Sequence, residues 1–413
     1  MPPTSKPVSP LCKKTKIVNR SPGTSIMNIQ DDVLCVLFSY LGVIDLVRSS
    51  AVCKPWREVI RKYRLLEDEC IRQSIRFNRS NRNQPQSLSV LDEFAMKLHC
   101  SSLTAGSVLV HQWRGHSVGV RQCRMKMNSL LTGVGDRLMR LWSLENFECI
   151  EEYPLPSSNV LTDFGFDESK IVGLLGSQLC IWMRRGGKTT FPQQERTFPK
   201  GLCMRYIDPE AVIGCEDGTA RVFDMYSRKC TRIIRMHREA ATCLAFTQDR
   251  RIIGGSSLGR ISLCSLSDQE VTTLQPTVSA AAKTLFFNSH AHKVFIGTAS
   301  GYVTCYDVRM MGLLWRTRAS GNVVYCIGQR GSDTLTMVVG GVDGVLRIVD
   351  QESGDVVAKY VMDSSGPRRL PVDTDLDLIP TTCRPPILSL GVGMNKVATI
   401  HAGGLVKLWK FRI

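Results

Sequence analysis

The sequence predicts a mainly β chain, a seven-fold strand repeat over residues 108–413 preceded by a small α-helical unit. Three observations carry this. Seven short segments end on Trp142, Trp182, Phe223, Cys264, Tyr306, Val349 and Trp409, at intervals of 40, 41, 41, 42, 43 and 60 residues. A fixed period of this size marks a repeat architecture. Each segment alternates apolar and polar residues, as a half-buried strand does. Near the start, by contrast, Val33, Leu34, Leu37, Phe38 and Leu41 recur at helical spacing.

Composition narrows the class. Of 413 residues, 43% are apolar and 22% charged, the balance of a folded soluble chain. The longest apolar run, Val33–Phe38, is far below the roughly 18 residues of a membrane helix. The first sixteen residues lack the apolar core of a secretory signal. The expectation is a cytoplasmic or nuclear protein with no membrane association. Sixteen cysteines are spread from Cys12 to Cys383 without a Cys-x-x-Cys pair, and no cysteine lies within ten residues of the His290 and His292 pair. They read as reduced core thiols, and neither a metal nor a cofactor is expected. The net charge of +16 favours acidic partners. No interleaving of basic and aromatic residues argues for nucleic acid.

Residues 1–26 are rich in Ser, Thr, Pro and Lys without hydrophobic period and read as a disordered basic tail. Residues 27–72 read as three compact helices. Asn28 and Asp31 suit a helix start, Gly42 a stop, Asp45 a second start and Pro55 the first turn of a third helix. Trp56, Val59, Ile60 and Tyr63 then fall on one face. About 45 residues cannot bury that much apolar surface alone. It must cover either a partner or the rest of the chain. Residues 73–107 form a linker, with an amphipathic helix through Val90, Leu91, Phe94, Ala95 and Leu98.

The run Ile29, Asp31, Asp32, Val33, Leu34, Leu37, Phe38, Leu41, then Asp45 and Leu46, then Val52, Cys53, Trp56 and Arg57 resembles an F-box. Gln30 stands where that family usually has proline. The resemblance implies docking on the small adaptor of a cullin–RING ubiquitin ligase. The implied adaptor contacts are Leu34, Leu37, Leu41, Leu46, Val52, Cys53 and Trp56. Some of these must be the core of the helical unit, and spacing alone does not separate the two sets.

The 40-residue pattern resembles WD repeats, and seven copies imply a seven-bladed β-propeller. The first copy is the most faithful, with Gly115, His116, Thr132, Asp136 and Trp142. In the family His116, Thr132, Asp136 and Trp142 would form a structural hydrogen-bonded tetrad. The strand Val108–Trp113 would complete the last blade, as N-terminal strands do in that family. The 60-residue interval places an insertion at 363–386, expected as a loop on the same rim as the His116 turn. By phasing, Arg121, Arg137, Arg368 and Arg369 should make that rim basic and bind substrate. Together the resemblances imply a non-catalytic substrate receptor of an SCF-type ubiquitin ligase. A scaffold that promotes no degradation, or a nucleic-acid-associated propeller, is the alternative.

Overall fold

The computed structural model describes residues 29–77 and 87–412, apart from 118, 127, 134–136, 157–159, 185–187, 191–197, 268–269, 275–279, 331–332, 334, 364, 375 and 377–378. The basic tail, Asn28 and residues 78–86 of the linker lie outside that set. The chain divides into two compact units, residues 1–95 and 96–413.

The first unit contains α1 (Asp31–Ser39), α2 (Val43–Val52), α3 (Lys54–Lys62) and α4 (Leu65–Phe77). A fifth helix, α5 (Ser87–Ala105), crosses the division. The start of α1 is not capped as expected. Its cap residue is Gln30, without a side-chain hydrogen bond. Asp31 instead pairs with Lys62 at 3.2 Å, and Asp32 accepts from the Tyr63 hydroxyl at 2.8 Å. Both carboxylates thus tie the start of α1 to the end of α3. The core is Leu34, Phe38, Leu46, Val59, Ile60 and Leu65, with Trp56 edge-on to Phe38 at 5.1 Å.

The second unit is a ring of seven antiparallel sheets. Blade one has the strands Gln122–Lys126, Ser129–Gly133, Leu138–Ser143 and Cys149–Pro154, in that order from the centre outward. The seven repeat segments supply the third strand of every blade. Apolar residues of neighbouring blades share clusters, such as Leu131, Met139 and Leu141 with Leu161, Phe164 and Trp182. The alternation in sequence is the signature of this sheet-on-sheet burial. Blade seven is closed by Ser107–Arg114, paired antiparallel with Leu405–Arg412 through eight residue pairs. The end of α5 packs on the same ring: Tyr360 donates to the Leu103 carbonyl at 2.7 Å, and His99 Nδ1 accepts from the Asn395 amide at 3.1 Å.

The insertion is more ordered than a loop. Its start extends the outer strand of blade six to Val356–Asp363 and returns as a fifth strand, Gly366–Leu370. Its end is held by Arg384, which is buried. The Arg384 guanidinium donates to the carbonyls of Leu376 (2.9 Å), Ile379 (3.0 Å) and Asp343 (3.0 Å). One side chain thus satisfies three main-chain acceptors that a free loop would leave to water.

No described helix is long and apolar enough to cross a membrane. The described cysteines are unpaired and most are buried. Burial raises the Cys100, Cys243 and Cys305 thiols to about 12. They are packing groups, not nucleophiles.

Candidate functional site

In the helical unit the structure separates core from surface. Leu34 and Leu46 are buried, and Leu41 and Trp56 pack against them. Leu37 and Val52 face outward at 49% and 59% exposure, and Cys53 is half-buried. Between Asp31 and Val52, four outward apolar residues escaped the sequence reading as contacts: Val33, Val36, Tyr40 and Val47. On α1 the spacing of Val33, Val36, Leu37 and Tyr40 is i, i+3, i+4, i+7, a second stripe beside the core stripe. That spacing was the available signal. A nine-residue helix that is apolar on two sides has one side too many for its own unit.

In blade one His116 Nε2 lies 2.8 Å from Thr132 Oγ1, and the Trp142 indole N–H donates to the same oxygen at 2.8 Å. Asp136 lies outside the described residues. The Arg140 guanidinium stands 3.0 Å from His116 Nδ1, donates to the Gly115 carbonyl at 3.1 Å and pairs with Glu152 at 2.7 Å. All these bonds fix the His116 turn.

Blade seven carries a variant that the sequence reading missed. Trp409 donates to Thr399 Oγ1 at 2.9 Å, and Thr399 lies 2.9 Å from His401 Nε2. His401 Nδ1–H donates to the Pro385 carbonyl at 2.9 Å, which leaves Nε2 as the acceptor. The signal was the Thr-to-Trp spacing of ten residues, which blades one and seven share.

Burial, then the nearby Lys407 ammonium, lower the His401 pKa to about 4. The unfolded chain takes up this proton below its ordinary pKa of 6.5, and the folded chain does not until about pH 4. The neutral ring therefore contributes stability that is complete above pH 6.5 and lost on acidification towards 4, roughly 1.4 kcal/mol per pH unit in that window. Chemical denaturation from pH 7 to 4.5 should show the stability advantage of wild type over His401→Gln shrinking by ~3 kcal/mol. A constant difference would contradict the assignment.

On the rim of the His116 turn lies a cleft of about 1410 Å³ over blades one to three and seven. Arg121, Arg137 and Lys200 line it and are exposed. Neither Arg121 nor Arg137 has an ion-pair partner among the described residues. Val160, Leu161 and Phe198 give the cleft an apolar floor and wall. Arg137 has φ of +61°, in the left-handed region. The expected four-arginine rim is not assembled. Arg368 and Arg369 sit on the fifth strand of blade six, do not line the cleft, and Arg368 lies 3.8 Å from Asp363. That strand forms because residues 366–370 pair with 359–363 instead of looping towards the mouth.

Beneath the cleft the inner strands are joined by an ion triad that the sequence reading missed. Asp163 is 2% exposed and accepts from Arg124 at 2.7 Å and Arg205 at 3.3 Å. It also accepts from the amides of Phe164 (2.8 Å) and Met204 (2.9 Å). No group of His, Cys, Asp and Glu among the described residues has the arrangement of a metal site.

Comparison with known proteins agrees with this architecture. The F-box domain family matches residues 26–68. An F-box/WD-40 repeat-containing protein of Arabidopsis thaliana is 42% identical, over 96% of this chain and 97% of its own length. The human angio-associated migratory cell protein is 22% identical over 66% of this chain and 68% of its own. The computationally designed Ika8 protein aligns with a TM-score of 0.56 at 15% identity, covering 73% of this chain and 98% of its own, and shows the propeller fold alone. The molecule is thus an F-box joined to a WD-repeat propeller. The chain belongs to the F-box/WD-40 repeat family.

Proposed function

We propose that this chain is the substrate-recognition subunit of an SCF-type ubiquitin ligase. Its F-box holds the adaptor, and its propeller presents a protein substrate on the cleft rim. The observation that carries the reading is the outward apolar stripe Val33, Val36, Leu37 and Tyr40 within the F-box match. Side chains so exposed are normally covered by a partner. The chain supplies no catalytic step. It raises the effective concentration of substrate at enzymes carried by other subunits.

Leu37→Asp tests this. The residue is outside the core, so the variant should melt with the wild type. Placing a carboxylate in a covered apolar stripe costs several kcal/mol, so adaptor affinity should fall by at least ~100-fold in a pull-down. Undiminished capture of the adaptor would reject the reading. Capture without any stabilisation of substrates on depletion of the chain would instead favour a scaffold.

A further inference from the structure

The charge lining the cleft is confined to blades one and three. Blade one contributes Arg121 and Arg137, both exposed and unpaired among the described residues. The blade-three side contributes Lys200 and Glu216. There the Glu216 carboxylate accepts from the Lys200 amide at 3.3 Å, so this side holds one charge of each sign. Between them lies blade two, with the strands Leu161–Phe166, Lys170–Leu175, Gln178–Met183 and Lys188–Thr190. Leu155 and Val160, on the loop that leads into this blade, line the cleft, as do Leu161 and Leu175, paired across its two inner strands. No charged residue described in this sector lines the cleft. Phe198, on the loop entering blade three, extends the apolar lining.

Two further observations mark blade two as a seat. Gly176 lines the cleft with φ of +63°, and a Cβ there would meet nothing within 4 Å, so that point of the wall is bare backbone. Val160 is 77% exposed. An apolar side chain standing at the edge of an apolar depression marks a docking surface rather than a lone surface residue. At about 1410 Å³ the cleft exceeds the roughly 300–1,000 Å³ of small-molecule pockets, so its occupant is a segment of chain.

We propose that the cleft recognises its protein substrate through a bulky apolar side chain seated over blade two, against Val160 and Phe198, with an acidic residue of the same segment over Arg121 and Arg137. The inference rests on the reading of the cleft as the substrate surface. It adds the chemistry of the segment, and that no phosphate is required. Arg121 and Arg137 are exposed, so they steer and orient the segment more than they hold it. The affinity comes from apolar area, to which a phosphate adds nothing.

The probe is a library of random twelve-residue peptides displayed on phage, which carry no phosphate, panned on the immobilised full chain. Peptides whose capture is lost in Leu37→Asp belong to the helical unit and are discarded. The rest should share a Leu, Ile, Met or Phe with an Asp or Glu on one side of it. Both sets of cleft changes are at exposed positions and should leave the melting temperature unchanged. Val160→Asp should cut capture of the shared peptides at least tenfold. Arg121→Ser with Arg137→Ser should cut it about threefold to tenfold, and peptides selected afresh on that variant should keep the apolar preference and lose the acidic one. Acidic peptides lost with the arginine pair but captured equally by Val160→Asp would overturn the apolar seat and keep the cleft reading. Enrichment that neither set of changes alters would place recognition on another surface and overturn both. A barren library, with phosphoserine peptides on an array captured by wild type and lost with the arginine pair, would overturn the phosphate-free recognition and keep the cleft. No capture of either kind would sink both.

Discussion

Deletion of Ser107–Arg114 is expected to leave the propeller open and prone to aggregation. These eight residues are the outer strand of blade seven, paired with Leu405–Arg412 along their whole length. Val108 and Val110 pack with Leu103, Trp409 and Phe411. Trp113 packs with Trp142, Val406 and Phe147 across the seam between blades one and seven. Removing three partly buried apolar side chains forfeits roughly 1–2 kcal/mol each, or ~4 kcal/mol together. That is a large share of the ~5–15 kcal/mol by which domains are stable. The deletion also bares the main-chain groups of Leu405–Arg412, a ready template for pairing with another molecule. The melting temperature should fall by about 10 °C or more, with soluble aggregates in size-exclusion chromatography. Removal of residues 1–26 should change neither. An equally stable, monomeric protein without 107–114 would show that the ring does not depend on this strand.

The strand was legible because its signal is local. Val108, Leu109, Val110 and Trp113 make a short apolar segment just before the first repeat, where a WD ring needs a further strand to close. The seven third strands were legible for the same reason. Period and alternation survive even where Phe223, Cys264 or Val349 replaces tryptophan. The fifth strand of blade six was not, because Gly366, Pro367, Arg368 and Arg369 are poor strand formers with no alternation. They pair because the strand Val356–Asp363 offers a free edge and Leu370 anchors the hairpin in the cluster of Val345 and Val361. Tertiary context overrode propensity there, and the predicted four-arginine rim failed with it. The two sides of α1 were a different problem. Leu34 and Leu37 are equally apolar, and only the direction of α3 decides which is core.

The ion triad of Asp163 was also signalled, by one acid in an otherwise apolar strand, Leu161–Phe166. Its partners could not be named, because Arg124 and Arg205 lie about forty residues away on either side and reach it only through ring geometry. Asp163→Ala is expected to be among the most destabilising single changes in the propeller. The aspartate is the one carboxylate bonded to both guanidiniums, and it caps the amides of Phe164 and Met204. Its loss leaves two cations facing each other and two donors unpaired. Breaking a buried pair by removing one partner costs about 3–5 kcal/mol. Arg124 and Arg205 retain 27% and 29% exposure towards the channel, so the lower end, ~3 kcal/mol, applies. Adding Arg124→Leu and Arg205→Leu to Asp163→Ala should recover at least half of that loss, since the repulsion disappears with the charges. Equilibrium denaturation of the single, double and triple variants reads the coupling directly. A loss below about 1 kcal/mol for Asp163→Ala, or no recovery in the triple variant, would mean that channel water screens the charges and that the inner strands of blades one to three are held by apolar packing alone.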